Sequence, residues 1–224
     1  MIFENSVFTM NYSQPEEYRF SLDSVAAPKV IADRMKNRQV CGESFQVMDI
    51  CAGCGVMGME LSFFLPQIQN IHFVEVQEVY RSHFEENLKT LKDTLKKTQN
   101  RTDLNGDFHL MNYESLIGHP QWRESMDLIL ANPPYFHPSQ GKLSPSEFKN
   151  RCRFFIDSSF EKLIEAILFV LKPGGEAYIL IRDLQDHSMD FIRELEKLIA
   201  GQAQSEIVAD IRGTHLVRIQ KLSL

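Results

Sequence analysis

Cysteine is scarce in this sequence, and the few that are present do not form a complete metal motif. The chain of 224 residues has four cysteines, of which Cys51 and Cys54 are spaced as a CxxC pair. A structural zinc site needs four ligands, usually from two such pairs. Because there is no second pair, we expect no metal site and interpret the cysteines as free thiols of a reducing compartment.

Long apolar stretches and secretion signals are also missing. The longest mainly apolar run covers about ten residues around 163–171, which is too short to cross a bilayer. Residues 1–10 contain no basic segment and no clear cleavage site. We therefore expect a cytoplasmic protein that is not associated with a membrane.

Positive charge is in deficit, since 24 Lys and Arg stand against 30 Asp and Glu. A protein that binds nucleic acid by bulk electrostatics is usually basic, so any such contact here must come from a local patch. The hydrophobic fraction of 43% is ordinary for a globular domain with a sizeable core.

What the sequence does contain is a regular alternation of strand and helix patterns. Helices are predicted at 22–35, 56–65, 77–98, 154–171 and 189–200. Strands are predicted at 45–50, 71–76, 108–111, 126–131, 176–181, 207–211 and 216–222. This order predicts an α/β fold with a seven-stranded, mostly parallel sheet and helices on both faces. The last two strands, joined through Gly213, predict an antiparallel hairpin.

A glycine-rich turn follows the first predicted strand. Gly53, Gly55 and Gly58 form a G-x-G-x-x-G pattern shortly after Asp49. Glycine permits a tight turn and close approach of a ligand to the backbone, beside the N-terminus of a helix. Glu75, at the end of the second strand, could accept hydrogen bonds from both hydroxyls of a ribose. This pattern fits NAD and S-adenosyl-L-methionine (SAM) equally well.

The tetrapeptide Asn132-Pro133-Pro134-Tyr135 follows the fourth predicted strand, where ligands bind in doubly wound sheets. Asn132 Oδ1 and the Pro133 carbonyl could accept the two N–H bonds of an amine attached to a planar group. These bonds would free the delocalised lone pair for attack and stabilise the positive charge that develops on nitrogen. Tyr135 could stack on the planar substrate. We predict that these four residues are catalytic.

Together the glycine loop and this tetrapeptide resemble those of class I SAM-dependent methyltransferases, whose Rossmann-like sheet ends in a β-hairpin. The NPPY sequence is similar to that of the amino methyltransferases in this class. The resemblance implies SAM as the cofactor, with Asp49 near its methionine moiety. Glu114, after the third strand, is placed to meet the adenine amino group, and Asn112 is an alternative for that role. The expected cofactor-binding residues are Asp49, Gly53, Gly55, Glu75, Glu114 and Asn132.

The flanking sequence is similar to that of one family within this class. The run NPPYF at 132–136, followed by a loop rich in Pro, Ser, Gly and Lys, resembles the tRNA1(Val) adenine-37 N6-methyltransferase family. So does the segment 18–24. The resemblance implies tRNA as the partner and the N6 amine of an adenine as the methyl acceptor. The chain departs from the family at 149–154, where it has a different cluster of charged residues.

Two other methyl acceptors stay open at this point. The glutamine of release factors is modified by enzymes that share NPPY but normally have a helical N-terminal domain. Enzymes that act on guanine N2 of rRNA usually end the tetrapeptide in Phe.

Basic residues near the tetrapeptide are candidates for contact with RNA phosphates. We predict that Phe136, Lys142, Arg151 and Arg153 bind the substrate, although a solvated charged face explains the basic residues equally well. A second basic group is interpreted as a solvated face and comprises Lys92, Lys96, Lys97 and Arg101. Asn87 is interpreted as a surface residue.

The predicted domain organisation has two parts. Residues 1–40 form an arm and a helix that help to cover the cofactor site, and residues 41–224 form the SAM-dependent methyltransferase domain.

Overall fold

The computed structural model describes residues 9–36, 45–137, 142–182 and 190–223. The strands are β1 (Gln46–Ile50), β2 (Asn70–Glu75), β3 (Asn105–Leu110), β4 (Met126–Ala131), β5 (Leu171–Arg182), β6 (Ala203–Ile211) and β7 (Thr214–Lys221). The helices are α1 (Asp23–Met35), α2 (Val56–Phe64), α3 (Tyr80–Gln99), α4 (Glu147–Arg153), α5 (Phe160–Val170) and α6 (Phe191–Leu198). Two short 3₁₀ helices cover Tyr113–Gly118 and Pro120–Trp122.

The strands form one sheet in the order β3-β2-β1-β4-β5-β7-β6. The pairs among β1 to β5 are parallel, whereas β7 pairs antiparallel with both β5 and β6. This is the predicted Rossmann-like sheet of class I methyltransferases with its antiparallel C-terminal hairpin, so the expected fold class is confirmed. The chain leaves β1 in one direction for β2 and β3, and then returns to place β4 on the other side of β1. Such a reversal opens a crevice at the carboxyl ends of the two central strands.

Successive side chains of the central strands pack alternately into two separate hydrophobic cores. On β4, Leu128 faces the core beneath α1, α2 and α3, and Ile129 faces the core beneath α5 and α6. Tyr178 and Ile179 of β5 divide in the same way. Because both faces are covered, these strands are apolar throughout rather than alternating with polar residues. In the described part of the chain, no helix has both the length and the apolar character needed to span a bilayer.

The predicted helix over 154–171 begins only at Phe160, and α4 was not predicted at all. Both helices start at a serine whose side chain caps the first turn: Ser146 Oγ accepts from Lys149 N, and Ser159 Oγ accepts from Lys162 N. Between the helices the chain is extended, and Phe154 forms a bridge with Phe136. Apolar periodicity alone could not separate this extended segment from the helix that follows it.

Two residues expected on the surface are instead buried. Asn87 is 1% exposed and donates through Nδ2 to the carbonyl oxygens of Ser13 and Cys54. Arg101 is 8% exposed and donates to the carbonyl oxygens of Ser62 and Ile68. Both predictions were wrong, because the partners are backbone groups brought near only by tertiary packing. The other members of that basic group are exposed as expected, namely Lys92, Lys96 and Lys97.

Replacing Gly58 of α2 by Ala should destabilise the fold. A Cβ at this position would lie 2.6 Å from Cε1 of Phe73 and 3.1 Å from Oδ2 of Asp49. Overpacking of this kind costs about 1–3 kcal/mol, which outweighs the better helix propensity of Ala. Urea unfolding should therefore give a lower free energy of unfolding for Gly58→Ala than for the wild-type protein. The control is Gly118→Ala, where no atom lies within 4 Å of the added carbon. Equal losses in both variants would contradict the prediction.

Candidate active site

A cavity of about 1140 Å³, counting the part that is open to solvent, lies at the carboxyl ends of β1 to β4. Its wall combines four loops that follow these strands with part of the N-terminal segment. From that segment, Gln14, Tyr18, Phe20, Ser21 and Ser24 line the cavity. The predicted site residues that line it are Asp49, Gly53, Glu75, Asn132, Pro133, Pro134, Tyr135 and Arg151.

The loop after β1 turns sharply because several of its residues adopt left-handed backbone conformations. Gly53 has φ +54°, and Gly55, which precedes α2, has φ +86°. Cys51 has φ +60° although it is not a glycine. This conformation costs a residue with a side chain about 1–2 kcal/mol. Gly53 and Gly55 therefore form the tight turn that the glycine pattern predicted, and Cys51 adds local backbone strain.

Glu75 holds this loop at the end of β2 through hydrogen bonds to backbone amides. Its Oε2 accepts from Gly53 N at 2.9 Å, and its Oε1 accepts from Val76 N at 2.9 Å and from Gln77 N at 2.8 Å. The residue is only 6% exposed, and burial raises the pKa of its carboxyl, although the three backbone hydrogen bonds act in the opposite direction. The loop after β1 is thus held in place by a buried acid that also faces the cavity.

Asp49 lines the cavity and has one carboxylate oxygen without a hydrogen-bond partner in the described part of the chain. Its Oδ2 accepts from Gly58 N at 2.8 Å, whereas its Oδ1 is buried and has no hydrogen-bond partner within the described residues. The pKa of this carboxyl is raised to about 7, mainly by burial and also by the charge of Glu75, while the Gly58 hydrogen bond acts in the opposite direction. A buried acceptor without a partner is costly unless a ligand satisfies it. This oxygen is therefore a natural contact for a cationic or hydrogen-bond-donating ligand group.

The tetrapeptide after β4 is held by the end of α4 and the residues that follow it. The amides of Tyr135 and Phe136 both donate to the carbonyl oxygen of Arg153, at 3.1 and 3.0 Å. Phe155 N donates to the carbonyl oxygen of Phe136 at 2.9 Å. This pairing fixes the backbone of the turn and directs residues 132–135 into the cavity.

Side-chain contacts hold the Asn132 amide at both of its ends. Asn132 Nδ2 donates to Ser24 Oγ at 2.7 Å, and the Tyr135 hydroxyl donates to Asn132 Oδ1 at 2.6 Å. Burial, followed by the charge of Asp23, raises the pKa of the Tyr135 hydroxyl, which therefore stays neutral and able to donate. The arrangement identifies Oδ1 as the accepting end of the amide.

Five predicted site residues do not line the cavity: Gly55, Glu114, Phe136, Lys142 and Arg153. Glu114 is exposed and accepts from Ser158 Oγ. Its rival Asn112 does line the cavity, where its Oδ1 accepts from Glu114 N at 3.0 Å and caps the first 3₁₀ helix. Of the two candidates for the adenine contact, the structure places only Asn112 on the wall.

The basic residues differ in their surroundings. Arg151 lines the cavity but forms an ion pair with Asp157 at 2.9 Å. Arg153 is exposed, and its guanidinium carbon lies 5.6 Å from the centre of the Phe136 ring. Lys142 is exposed. Arg153 and Lys142 therefore leave more charge accessible to solvent than Arg151 does.

Several cavity residues were missed from the sequence. Tyr80 begins α3, and its ring would lie 3.6 Å from a Cβ added to Gly53. In the sequence, only its position five residues after Glu75 could have indicated that it lies near the glycine loop. Asp157 was not recognised as a site residue because its segment was predicted to be helical. Cys152 accepts a hydrogen bond from the Gln77 side chain and shares one with the Tyr80 hydroxyl.

The cysteines of the cavity are free thiols. Burial raises the pKa of Cys54 to about 12, and it also raises the pKa values of Cys51 and Cys152. Because the thiolate is the nucleophilic form of cysteine, these thiols are poor nucleophiles near neutral pH. Over the described ranges, no group of three His, Cys, Asp or Glu side chains could hold a metal ion.

Comparison with solved structures shows the same fold over almost the whole chain. A proposed SAM-dependent methyltransferase from Methanococcus maripaludis has a TM-score of 0.56 at 14% identity and covers 90% of this chain and 89% of its own. An rRNA methylase from Streptococcus thermophilus has a TM-score of 0.54 at 19% identity, over 92% and 99% of the two chains. An O-methyltransferase family protein from Burkholderia thailandensis has a TM-score of 0.55 at 13% identity, over 89% and 57%.

These similarities establish the fold alone, because the matched proteins are at most 19% identical to this chain and differ in what their names say they act on. No family model matches the sequence, and no curated protein is similar to it in sequence. The assignment of function therefore depends on the residues of the cavity.

Burial of Asp49 should make stability depend on pH. Its pKa of about 7 in the folded protein lies above the ordinary value, so the folded state binds more protons between about pH 4 and 7. By linkage, the free energy of unfolding should fall as the pH rises through this window and then level off, with a change of a few kcal/mol at most. Urea unfolding at several pH values should show a smaller fall in Asp49→Asn. Identical pH profiles for the two proteins would contradict the raised pKa.

Proposed function

We propose that this chain is a SAM-dependent N-methyltransferase that modifies the N6 amine of an adenine in tRNA. The observation that supports this best is that residues 132–135 share one cavity with Asp49, Gly53 and Glu75. Strands β1 and β4 are neighbours, with Ile50 opposite Ala131, so the loops that follow them open into the same crevice. A cofactor loop and an acceptor for a planar amine are therefore adjacent.

The cavity residues fit SAM. The unsatisfied Asp49 Oδ1 suits the ammonium group of the methionine moiety. A carboxylate offers about four acceptor positions, so Glu75 retains one position for a ribose hydroxyl beyond its three backbone bonds. Asn112 and Tyr80 line the same cavity and are proposed to contact the adenosine. When bound, SAM supplies an electrophilic methyl group carried by its sulfonium.

The tetrapeptide supplies the acceptor groups for the reaction. Asn132 Oδ1 and the Pro133 carbonyl accept the two N–H bonds of the adenine amine, which lets the nitrogen move from planar toward tetrahedral geometry. The same two oxygens stabilise the positive charge that develops on this nitrogen during transfer. A proton then leaves the nitrogen to solvent, so no strong general base is required. This role needs Oδ1 to face the amine, as the contacts of Asn132 allow.

Tyr135 and the N-terminal segment complete the proposed site. The hydroxyl of Tyr135 is fixed on Asn132, so its ring is held beside the acceptor as a surface on which a base can stack. The N-terminal residues on the cavity wall, among them Tyr18 and Phe20, are proposed to cover the cofactor. We propose that residues 1–40 form the cover and residues 41–224 the methyltransferase domain; of these, 1–8, 37–44, 138–141, 183–189 and 224 lie outside the described residues.

RNA contact is proposed for the exposed cations outside the cavity. Arg153 and Lys142 can meet phosphates directly, and Phe136 lies under the Arg153 guanidinium. Arg151 would have to exchange its Asp157 ion pair for a phosphate, so we propose that it mainly shapes the wall. The net charge of −6 implies that this local patch, rather than the whole surface, attracts RNA.

The decisive experiment is transfer of labelled methyl from SAM to tRNA, rRNA and release factor in parallel, followed by nucleoside and amino-acid analysis. The proposal predicts N6-methyladenosine in tRNA. Label on a glutamine amide would reassign the acceptor to protein, and N2-methylguanosine in rRNA would reassign it to guanine. Absence of label from every acceptor would refute the proposed activity.

Asn132→Ala should lower kcat by about 10²–10³-fold because an acceptor for the developing charge is lost. The dissociation constant for SAM should change little, since the cofactor loop is untouched. Calorimetric SAM titration and initial rates test both halves of the prediction. Asn105→Ala removes an exposed asparagine at the start of β3 and serves as the control, with unchanged rates. Loss of SAM binding in Asn132→Ala would show that the roles are not separate.

Glu75→Gln should weaken SAM binding by about tenfold or more, because hydrogen bonds to a charged acceptor contribute about 1.5–3 kcal/mol. The substitution keeps the size of the side chain and one oxygen for the backbone amides. Glu78→Gln changes an exposed glutamate three residues away and should leave the affinity unchanged. Equal affinities for Glu75→Gln and wild type would rule out the ribose assignment.

A further inference from the structure

The Asn132 amide receives its orientation from a residue far away in the sequence. Ser24 and Asn132 are 108 positions apart, yet Ser24 Oγ accepts from Asn132 Nδ2 at 2.7 Å. At the other end of the amide, the Tyr135 hydroxyl donates to Oδ1. Tyr135 belongs to the same turn as Asn132, so Ser24 is the contact that a different element supplies.

Ser24 is well placed to fix another side chain. It lies in the first turn of α1, is 5% exposed, and its own amide donates to the carbonyl oxygen of Ser21. Further along α1, Ile31 and Ala32 are buried against the sheet. The hydroxyl is thus carried by a packed helix rather than by a mobile loop, which makes it a rigid reference point.

We infer that Ser24 is a positioning residue that turns the Asn132 amide so that Oδ1, and not Nδ2, faces the methyl acceptor. This inference rests on the proposed function. It makes the N-terminal segment part of the catalytic site, in addition to any role in covering the cofactor.

The physical reason lies in the opposite polarity of the two amide ends. Oδ1 accepts the N–H bonds of an incoming amine, whereas Nδ2 would direct its own hydrogens at them. With Ser24 Oγ bonded to Nδ2, the productive orientation is set before the substrate arrives. Without that acceptor only the Tyr135 hydroxyl holds the amide, and a hydroxyl can bond to either end because it can donate to Oδ1 or accept from Nδ2. The free energy of orienting the amide is then added to the reaction barrier.

The same segment is tied to the cofactor loop, so cofactor and acceptor groups share one support. Asn87 Oδ1 accepts from Ser13 N at 2.7 Å, and Asn87 Nδ2 donates to the carbonyl oxygen of Cys54 at 3.0 Å. The Tyr12 hydroxyl donates to Glu60 of α2 at 2.6 Å. Correct docking of residues 9–24 therefore sets the catalytic amide while it borders the cofactor site.

The test compares Ser24→Ala, which removes the hydroxyl, with Ser24→Thr, which keeps it. Ser24→Ala should lower kcat by roughly tenfold to a hundredfold, with SAM affinity within about twofold of wild type. Ser24→Thr should recover most of the rate. Ser62→Ala is the matched control, because Ser62 is a fully buried helical serine whose hydroxyl donates only to the Met59 carbonyl. It should leave kcat unchanged.

A second measurement does not depend on activity. In ¹H–¹⁵N spectra, the side-chain amide pair of Asn132 is the pair that disappears in Asn132→Asp. Its shifts should move, and its exchange with water should accelerate, in Ser24→Ala and not in Ser62→Ala.

Three results would overturn the inference: wild-type kcat in Ser24→Ala, equal losses in Ser24→Ala and Ser24→Thr while both keep the wild-type melting temperature, or an unchanged Asn132 amide signal. If the wild-type protein transfers methyl to no acceptor, the proposed function fails, and the amide signal alone then decides whether Ser24 positions Asn132.

Discussion

The parallel pairing of β1 with β4 is the constraint on which the rest of the site depends. With Ile50 opposite Ala131, both strands end at the same level of the sheet, and the loops that follow them must face each other across one crevice. Asp49 and Asn132 lie 83 positions apart in the sequence and still share a cavity wall. A shift of one residue in this pairing would turn the side chains of β4 to the opposite core.

Two buried carboxyl groups impose a cost that the rest of the structure offsets. Burial raises the pKa values of Glu75 and Asp49, which means that the charged forms are disfavoured inside the fold. Hydrogen bonds from the backbone amides of Gly53, Val76, Gln77 and Gly58 offset part of this destabilisation. Burial of apolar side chains in the two cores on either side of the sheet offsets the rest. Buried carboxyl groups with raised pKa values at the end of a sheet are in keeping with the proposed cofactor site.

The N-terminal segment contributes more than its length suggests. Although it contains a single described helix, it contacts Asn87 beside the glycine loop, Glu60 of α2, and Asn132 of the turn after β4. Each of these contacts is a hydrogen bond between groups that are far apart in the sequence. The segment therefore completes the hydrogen bonding of the site from outside the sheet. Its own conformation depends on the sheet in return.

Local pattern was sufficient to predict the strands, the closing hairpin and the two loops at the crevice, because apolar periodicity, Gly53 and Pro133 act over a few residues. It could not place Asn87, Arg101 or Ser24, whose partners are distant backbone and side-chain groups. The break before α5 was missed because an extended run and a buried helix are equally apolar. The sequence by itself determined the elements and their order. Only the tertiary structure decided which polar groups meet, since hydrogen bonding depends on distances that sequence spacing does not encode.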